Sequence, residues 1–115
     1  MHEASLAGGV LQLVEETAAR EGFTRLRALH LDSGQLAGVD VRALRFALEA
    51  LAPGTLLDGA RIEIDEPAGQ AWCLGCSTTV ALAQRGDACP ACGSFHLQPT
   101  GGSELRVLDM QVADD

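Results

Sequence analysis

The chain has 115 residues and a mass of 12.0 kDa, room for one ordinary domain or for a small core joined to a metal-stapled module. Hydrophobic residues make up 47% and charged residues 21%, near the globular average, so a packed core is expected and disorder is not. Sixteen acidic residues against eight basic ones, every one of the latter arginine, give a formal charge of −8, which argues against a nucleic-acid partner because phosphate binding rests on clustered positive charge.

The chain opens Met1-His2-Glu3-Ala4-Ser5-Leu6, with neither the basic start nor the apolar run of a secretory leader. No stretch approaches the roughly 20 apolar residues of a membrane span. The expected compartment is the cytoplasm, where thiols stay reduced. Leu6, Val10, Leu13, Val14 and Thr17 then follow helical spacing, and Gly22 sits where a left-handed cap belongs, so a first helix is predicted over residues 4–21. Gly8 and Gly9 each cost a helix interior roughly 1 kcal/mol against alanine, which predicts loose first turns. A strand is predicted over 24–31, ending in the turn signal Asp32-Ser33-Gly34.

Asp40 precedes Val41, Leu44, Leu48 and Leu51 at helical spacing, and Pro53-Gly54 ends that second helix. Asp40 is its expected N-cap, worth about 1 kcal/mol. Ala60, Ile62 and Ile64 alternate with charged residues as a half-buried strand does, up to Pro67. A last strand is predicted over 104–112; its apolar set changes parity between Val107 and Leu108, as a bulge or a change of facing surface would require. Between Gln70 and Gly102 the only charged side chains are Arg85 and Asp87, a shift in composition that marks an inserted module. The predicted fold is α+β: two helices and a three-stranded sheet over 1–69 and 103–115, with a zinc ribbon inserted at 70–102.

Inside that insert, Cys73 and Cys76, then twelve residues, then Cys89 and Cys92 place two C-x2-C pairs at the spacing of a four-thiolate zinc site. Gly93 after the second pair lets backbone amides turn toward sulfur; Ser77 stands at the matching place after the first, so that knuckle is expected to be slightly strained. Four thiolates leave no position for water, which makes the zinc structural, and such an ion supplies on the order of 10 kcal/mol of folding free energy. Free or disulfide-linked thiols are the plain alternative. A redox reading of Trp72-Cys73-Leu74-Gly75-Cys76 fails because a reactive cysteine of that kind opens a helix, whereas Ser77-Thr78-Thr79-Val80 reads as strand.

A histidine at position 2 is ordinarily an accident of a frayed end. Here the terminal amine, the nearby backbone amides and the His2 imidazole can wrap one ion in fused chelate rings, with Glu3 or another carboxylate nearby. Deprotonated amides favour a square-planar field, which suits nickel(II) or copper(II) over zinc. Met1-His2-Glu3, Gly38-Val39-Asp40, Cys73-x2-Cys76 with Cys89-Pro90-x-Cys92-Gly93-Ser94, and Gly102-x-Glu104-Leu105 together resemble the HypA/HybF family from end to end. That family comprises nickel metallochaperones of nickel-iron hydrogenase maturation. The resemblance implies that His2 is the essential nickel ligand, joined by backbone nitrogens, in a nickel-binding domain over 1–69 and 103–115, and that Cys73, Cys76, Cys89 and Cys92 hold zinc. It also implies delivery of nickel to the hydrogenase large subunit with a nickel-loading GTPase, some members serving urease maturation as well, and it associates the position of Asp40 with the nickel site.

His96, just after the second knuckle, is a further candidate near nickel, set against an exposed loop residue; His30 reads as a strand-surface residue. Glu15-Glu16, Glu63 with Asp65-Glu66, and Asp114-Asp115 read as solvated faces or a tail. No phosphate loop, nucleophile elbow or nucleophile–base pairing is present, so no enzymatic activity is expected and nucleotide handling falls to a partner. The alternative function is a zinc-ribbon module for protein or nucleic-acid binding. Its ribbon would have one arginine and little aromatic surface beyond Trp72 and Phe95.

Overall fold

A computed structural model describes residues 2–113; Met1 and Asp114-Asp115, with the terminal amine and the acidic tail read from the sequence, lie outside the described residues. The elements are α1 (His2–Glu21), β1 (Leu26–Ser33), a 3-10 turn (Gln35–Ala37), α2 (Val41–Leu51), β2 (Arg61–Asp65), β3 (Gly69–Cys73), β4 (Thr78–Leu82), β5 (Leu97–Gly101) and β6 (Leu105–Val112). They form two three-stranded sheets, ordered β2-β1-β6 and β4-β3-β5. The result is α+β, as the sequence pattern predicts.

Residues 2–31, 39–64 and 107–113 belong to one compact unit, and 32–38 with 65–106 to a second. In the first unit α1 packs along α2. α1 begins at His2, two residues before the predicted start, and is unbroken through Gly8 and Gly9. Its buried face is Ala7, Val10, Val14 and Ala18, while Leu13 is 46% exposed. The apolar stripe is therefore rotated from the expected one, because small alanines let the neighbouring helix approach closely where leucine would not. Gly22 takes a left-handed φ of 85°, and the amides of Gly22 and Phe23 both donate to the Ala18 carbonyl, closing the helix as its sequence foretold. Leu44 and Leu48 of α2, Leu26, Leu29 and Leu31 of β1, and Leu57 are almost fully buried. Removing such side chains from water is the main favourable term in folding.

The predicted end of β1 at Leu31 falls short: the strand runs on through Asp32 and Ser33. Asp32 is a turn residue by type, but its carboxylate is buried and takes a 2.6 Å ion pair from the Arg106 guanidinium, which removes the reason for it to seek water. In β6, Leu105, Val107 and Met110 are half-buried while Leu108 and Val112 are exposed, so burial changes parity along the strand as its apolar pattern does.

In the second unit β3 runs antiparallel to both neighbours, pairing Gly69 with Leu82 through Cys73 with Thr78 on one side, and Cys73 with Leu97 on the other. An irregularity between Gln70 and Ala71 shifts the β3–β5 register. The core is small: Leu36, Ala71 and Leu82, with Leu97 packed against them. Leu36 comes from the 3-10 turn. Its segment joins this unit through three backbone bonds, Gly34 N–H to Glu104 O (3.0 Å), Gln35 N–H to Pro67 O (3.0 Å) and Leu36 N–H to Gly102 O (2.8 Å). The crossing requires glycine: a Cβ on Gly34 would lie 2.1 Å from the Gly102 carbonyl oxygen, and one on Gly102, at φ 77°, would lie 2.7 Å from that of Ala68.

Candidate metal centres

The four cysteines come from two loops of matching form. Cys73 ends β3, and the amide of Ser77 donates back to its carbonyl at 2.8 Å; Cys89 opens the second loop, and the amide of Gly93 donates to its carbonyl at 2.8 Å. Each loop turns its corner through a left-handed residue directly after its second cysteine, Gly93 at φ 78° and Ser77 at φ 52°. Ser77 is the one non-glycine residue with positive φ among those described. The strain expected at the first knuckle is located there.

These loops bring the sulfurs of Cys73, Cys76, Cys89 and Cys92 within 4.8 Å of one another, with Cys73 and Cys92 3.6 Å apart and Cys76 and Cys89 3.8 Å apart. A tetrahedron with metal–sulfur bonds of about 2.3 Å has edges of about 3.8 Å, so the spacing fits one tetrahedral ion of zinc's size. All four are free of disulfides, and Cys73 and Cys89 are buried. The amides of Cys92 and Ala91 point at the Cys89 sulfur, at 3.5 and 3.4 Å. Those two donors bring the Cys89 thiol down to about 6, Cys92 the stronger, against the opposing effect of burial. Cys76 goes the other way, up to about 12, through contact with the Cys73 sulfur and burial. A cation placed among the four would reverse that, because it favours the thiolate at every position.

In the first unit the N-terminal residues meet the start of α2. His2 opens α1 and is exposed. The Glu3 carboxylate accepts from the Asp40 amide at 3.0 Å, and the Asp40 carboxylate in turn accepts from the Ala43 amide at 3.1 Å, the expected N-cap of α2. The Asp40 amide is the chief reason the Glu3 carboxyl is held below its ordinary value of 4.5. Their contact spans 37 positions, and no local pattern signals it.

Gly38 just before them is the left-handed C-cap of the 3-10 turn, with φ 72° and ψ 22°, which accounts for the first residue of the Gly38-Val39-Asp40 motif. His96 belongs to the second unit, where its amide donates to the Ser94 hydroxyl (3.0 Å) and its carbonyl accepts from the Leu74 amide (2.9 Å). His30 lies on β1, 3.2 Å from the Asp109 carboxylate. No helix among the described residues is long and apolar enough to cross a membrane.

Comparison with known proteins matches residues 1–112 to a family described as "Hydrogenase/urease nickel incorporation, metallochaperone, hypA". The hydrogenase maturation factor HypA of Polaromonas naphthalenivorans is 70% identical over 115 residues, spanning all of both chains. That of Cupriavidus necator is 64% identical over 114 residues, covering 99% of this chain and 96% of its own. In fold the chain is similar to the solution structure of the nickel metallochaperone HypA from Helicobacter pylori, with a TM-score of 0.69, 22% identity and 98% of each chain covered.

Proposed function

Given that this chain belongs to the HypA family, which consists of nickel-incorporating metallochaperones and not enzymes, we propose that it takes up nickel(II) as cargo at its N-terminus and delivers it during hydrogenase maturation. The ligands are the Met1 amine, backbone nitrogens of the first residues and the His2 imidazole. The observation that carries this reading is the exposed His2 at the very start of α1. Amides in the first turn of a helix have no intrahelical acceptor, so a metal can replace their protons without breaking a helical bond. A terminus is also easily entered and left, as a delivery site must be.

Cys73, Cys76, Cys89 and Cys92 hold one zinc(II), which supplies a structural cross-link to a ribbon whose own buried apolar side chains, besides cysteines, are Ala71 and Leu82. On this reading, residues 1–69 with 103–115 are the nickel-binding part and 70–102 the zinc ribbon. Nucleotide hydrolysis comes from a nickel-loading GTPase partner, and the recipient is the nickel-iron hydrogenase large subunit, with urease maturation proteins as further partners. Neither nucleic acid nor a membrane is part of the reading, and the compartment is the cytoplasm.

Titration of nickel into the native protein and into His2→Ala tests the proposal. The variant should bind at least about ten-fold more weakly, a loss that even outer-shell changes produce at metal sites. Equal affinities would overturn it. Zinc content should stay at about one ion per chain in His2→Ala and drop in Cys76→Ser, which separates the two metals.

A further inference from the structure

The four cysteine sulfurs are unequally covered. Cys73 and Cys89 are 0% and 3% exposed, Cys76 is half-buried, and Cys92 is exposed. The amides of Ala91 and Cys92 cover the Cys89 sulfur further. Beside the Cys92 sulfur stands Gly75 of the other knuckle, which puts no side chain over it; a Cβ there would lie 3.2 Å away. A cation at the centre holds all four sulfurs as thiolates, so access decides which of them an oxidant reaches first. That sulfur belongs to Cys92.

The same geometry selects the partner. Two close sulfur contacts, Cys73 with Cys92 at 3.6 Å and Cys76 with Cys89 at 3.8 Å, both run between the knuckles. Closing the first to a disulfide of about 2.0 Å brings its sulfurs together by about 1.6 Å. We infer that the four-cysteine centre is also a modification site for a hydroperoxide, at which Cys92 is oxidised, Cys73 resolves it, and the knuckles stay cross-linked as the ion leaves. The Cys92 thiolate attacks the O–O bond, becoming a sulfenic acid and releasing hydroxide. The Cys73 thiolate then forms the S–S bond and displaces a second hydroxide from the Cys92 sulfur. Two protons from solvent turn both hydroxides into water, so one peroxide takes up the two electrons that the two thiolates give. Two remaining thiolates are half of a closed zinc shell, and the ion is lost. Exchange inside one C-x2-C pair plays no part, so no cysteine at the start of a helix is required. The inference rests on the zinc reading of these cysteines and is independent of the nickel site.

Cleavage after arginine separates the two knuckles, since residues 62–85 carry Cys73 and Cys76 while 86–106 carry Cys89 and Cys92. The nickel-free full chain is first analysed for zinc, then treated with about one equivalent of hydrogen peroxide, and its remaining thiols are blocked before trypsin digestion. About one zinc per chain should be released to a chromogenic chelator, and the intact mass of the single chain, before blocking, should fall by two hydrogen atoms. The two peptides should then be joined, with fragmentation placing the link at Cys73 and Cys92. A dithiol with added zinc should reverse all three changes. The amide spectrum of the ribbon should stay dispersed in the oxidised, zinc-free chain and collapse in a reduced chain stripped by a chelator. Peptides that stay separate, a link at Cys76 and Cys89 instead, a link between copies, or a ribbon that unfolds on oxidation would overturn the inference. Zinc that is present and stays bound through peroxide treatment would overturn it alone, whereas a starting chain without zinc would overturn the zinc reading and this inference with it.

Discussion

Ser77 holds a left-handed backbone at φ 52°, a conformation that an L-residue adopts at a cost of about 1–2 kcal/mol and glycine adopts freely. It does so because the knuckle must return its amide to the Cys73 carbonyl, as Gly93 does for Cys89 in the other loop. Ser77→Gly should therefore stabilise the zinc-loaded protein by about 0.5–1 kcal/mol once the greater freedom of glycine in the unfolded chain is counted. Thermal unfolding checks this. A lower melting temperature for the variant would mean that the serine side chain does more than tolerate the turn. At the same scale, Gly34 and Gly102 are fixed by contact distance, since any side chain there would strike backbone at the chain crossing.

The start of helix α1 is tied to the start of α2 by the Glu3 carboxylate. Glu3 lies in the first turn of α1 and accepts from the Asp40 amide, so it sits near the positive ends of two helix dipoles. Its folded value is lowered below 4.5, which means that the fold favours the ionised form. The stabilisation this contact contributes is then fully present above the ordinary value and is lost as pH falls through the lower folded value. The Asp40 amide proton resonance should follow that titration with a midpoint below 4.5 in the native chain and stay flat in Glu3→Gln. A native midpoint at or above the ordinary carboxyl value would contradict the contact. Since Glu3 directly follows His2, the same tether fixes where the proposed nickel ligand leaves the helix.

Over the whole molecule, charge and chemistry are unevenly spread. The ribbon sequence between Gln70 and Gly102 holds one acidic and one basic side chain, so the acidic excess is carried wholly by the remainder. Such a field raises the local concentration of divalent cations. Lysine is absent, and an amine-directed reagent therefore has the α-amine as its one target in this chain. Mild acetylation should add one acetyl group, abolish nickel binding by removing the proposed amine ligand, and leave the metal content of the four-cysteine site unchanged. Mass spectrometry with metal analysis reads all three outcomes. Retained nickel affinity after complete acetylation would place the nickel elsewhere.

The sequence by itself determined the order of the two helices and of β1, β2 and β6, the glycine that ends α1, the aspartate that caps α2, and the two cysteine pairs. Each of these rests on interactions between residues close along the chain: helical or alternating periodicity, a cap three residues away, two thiols three residues apart. Tertiary structure alone decided that Asp32 continues a strand, because its partner Arg106 lies 74 positions away, and that Leu13 faces water while Ala7 and Ala18 meet their neighbours. It also decided that residues 32–38 join the second unit and that Glu3 reaches Asp40. Contacts of that span depend on how packed elements meet, and neither periodicity nor residue type encodes them.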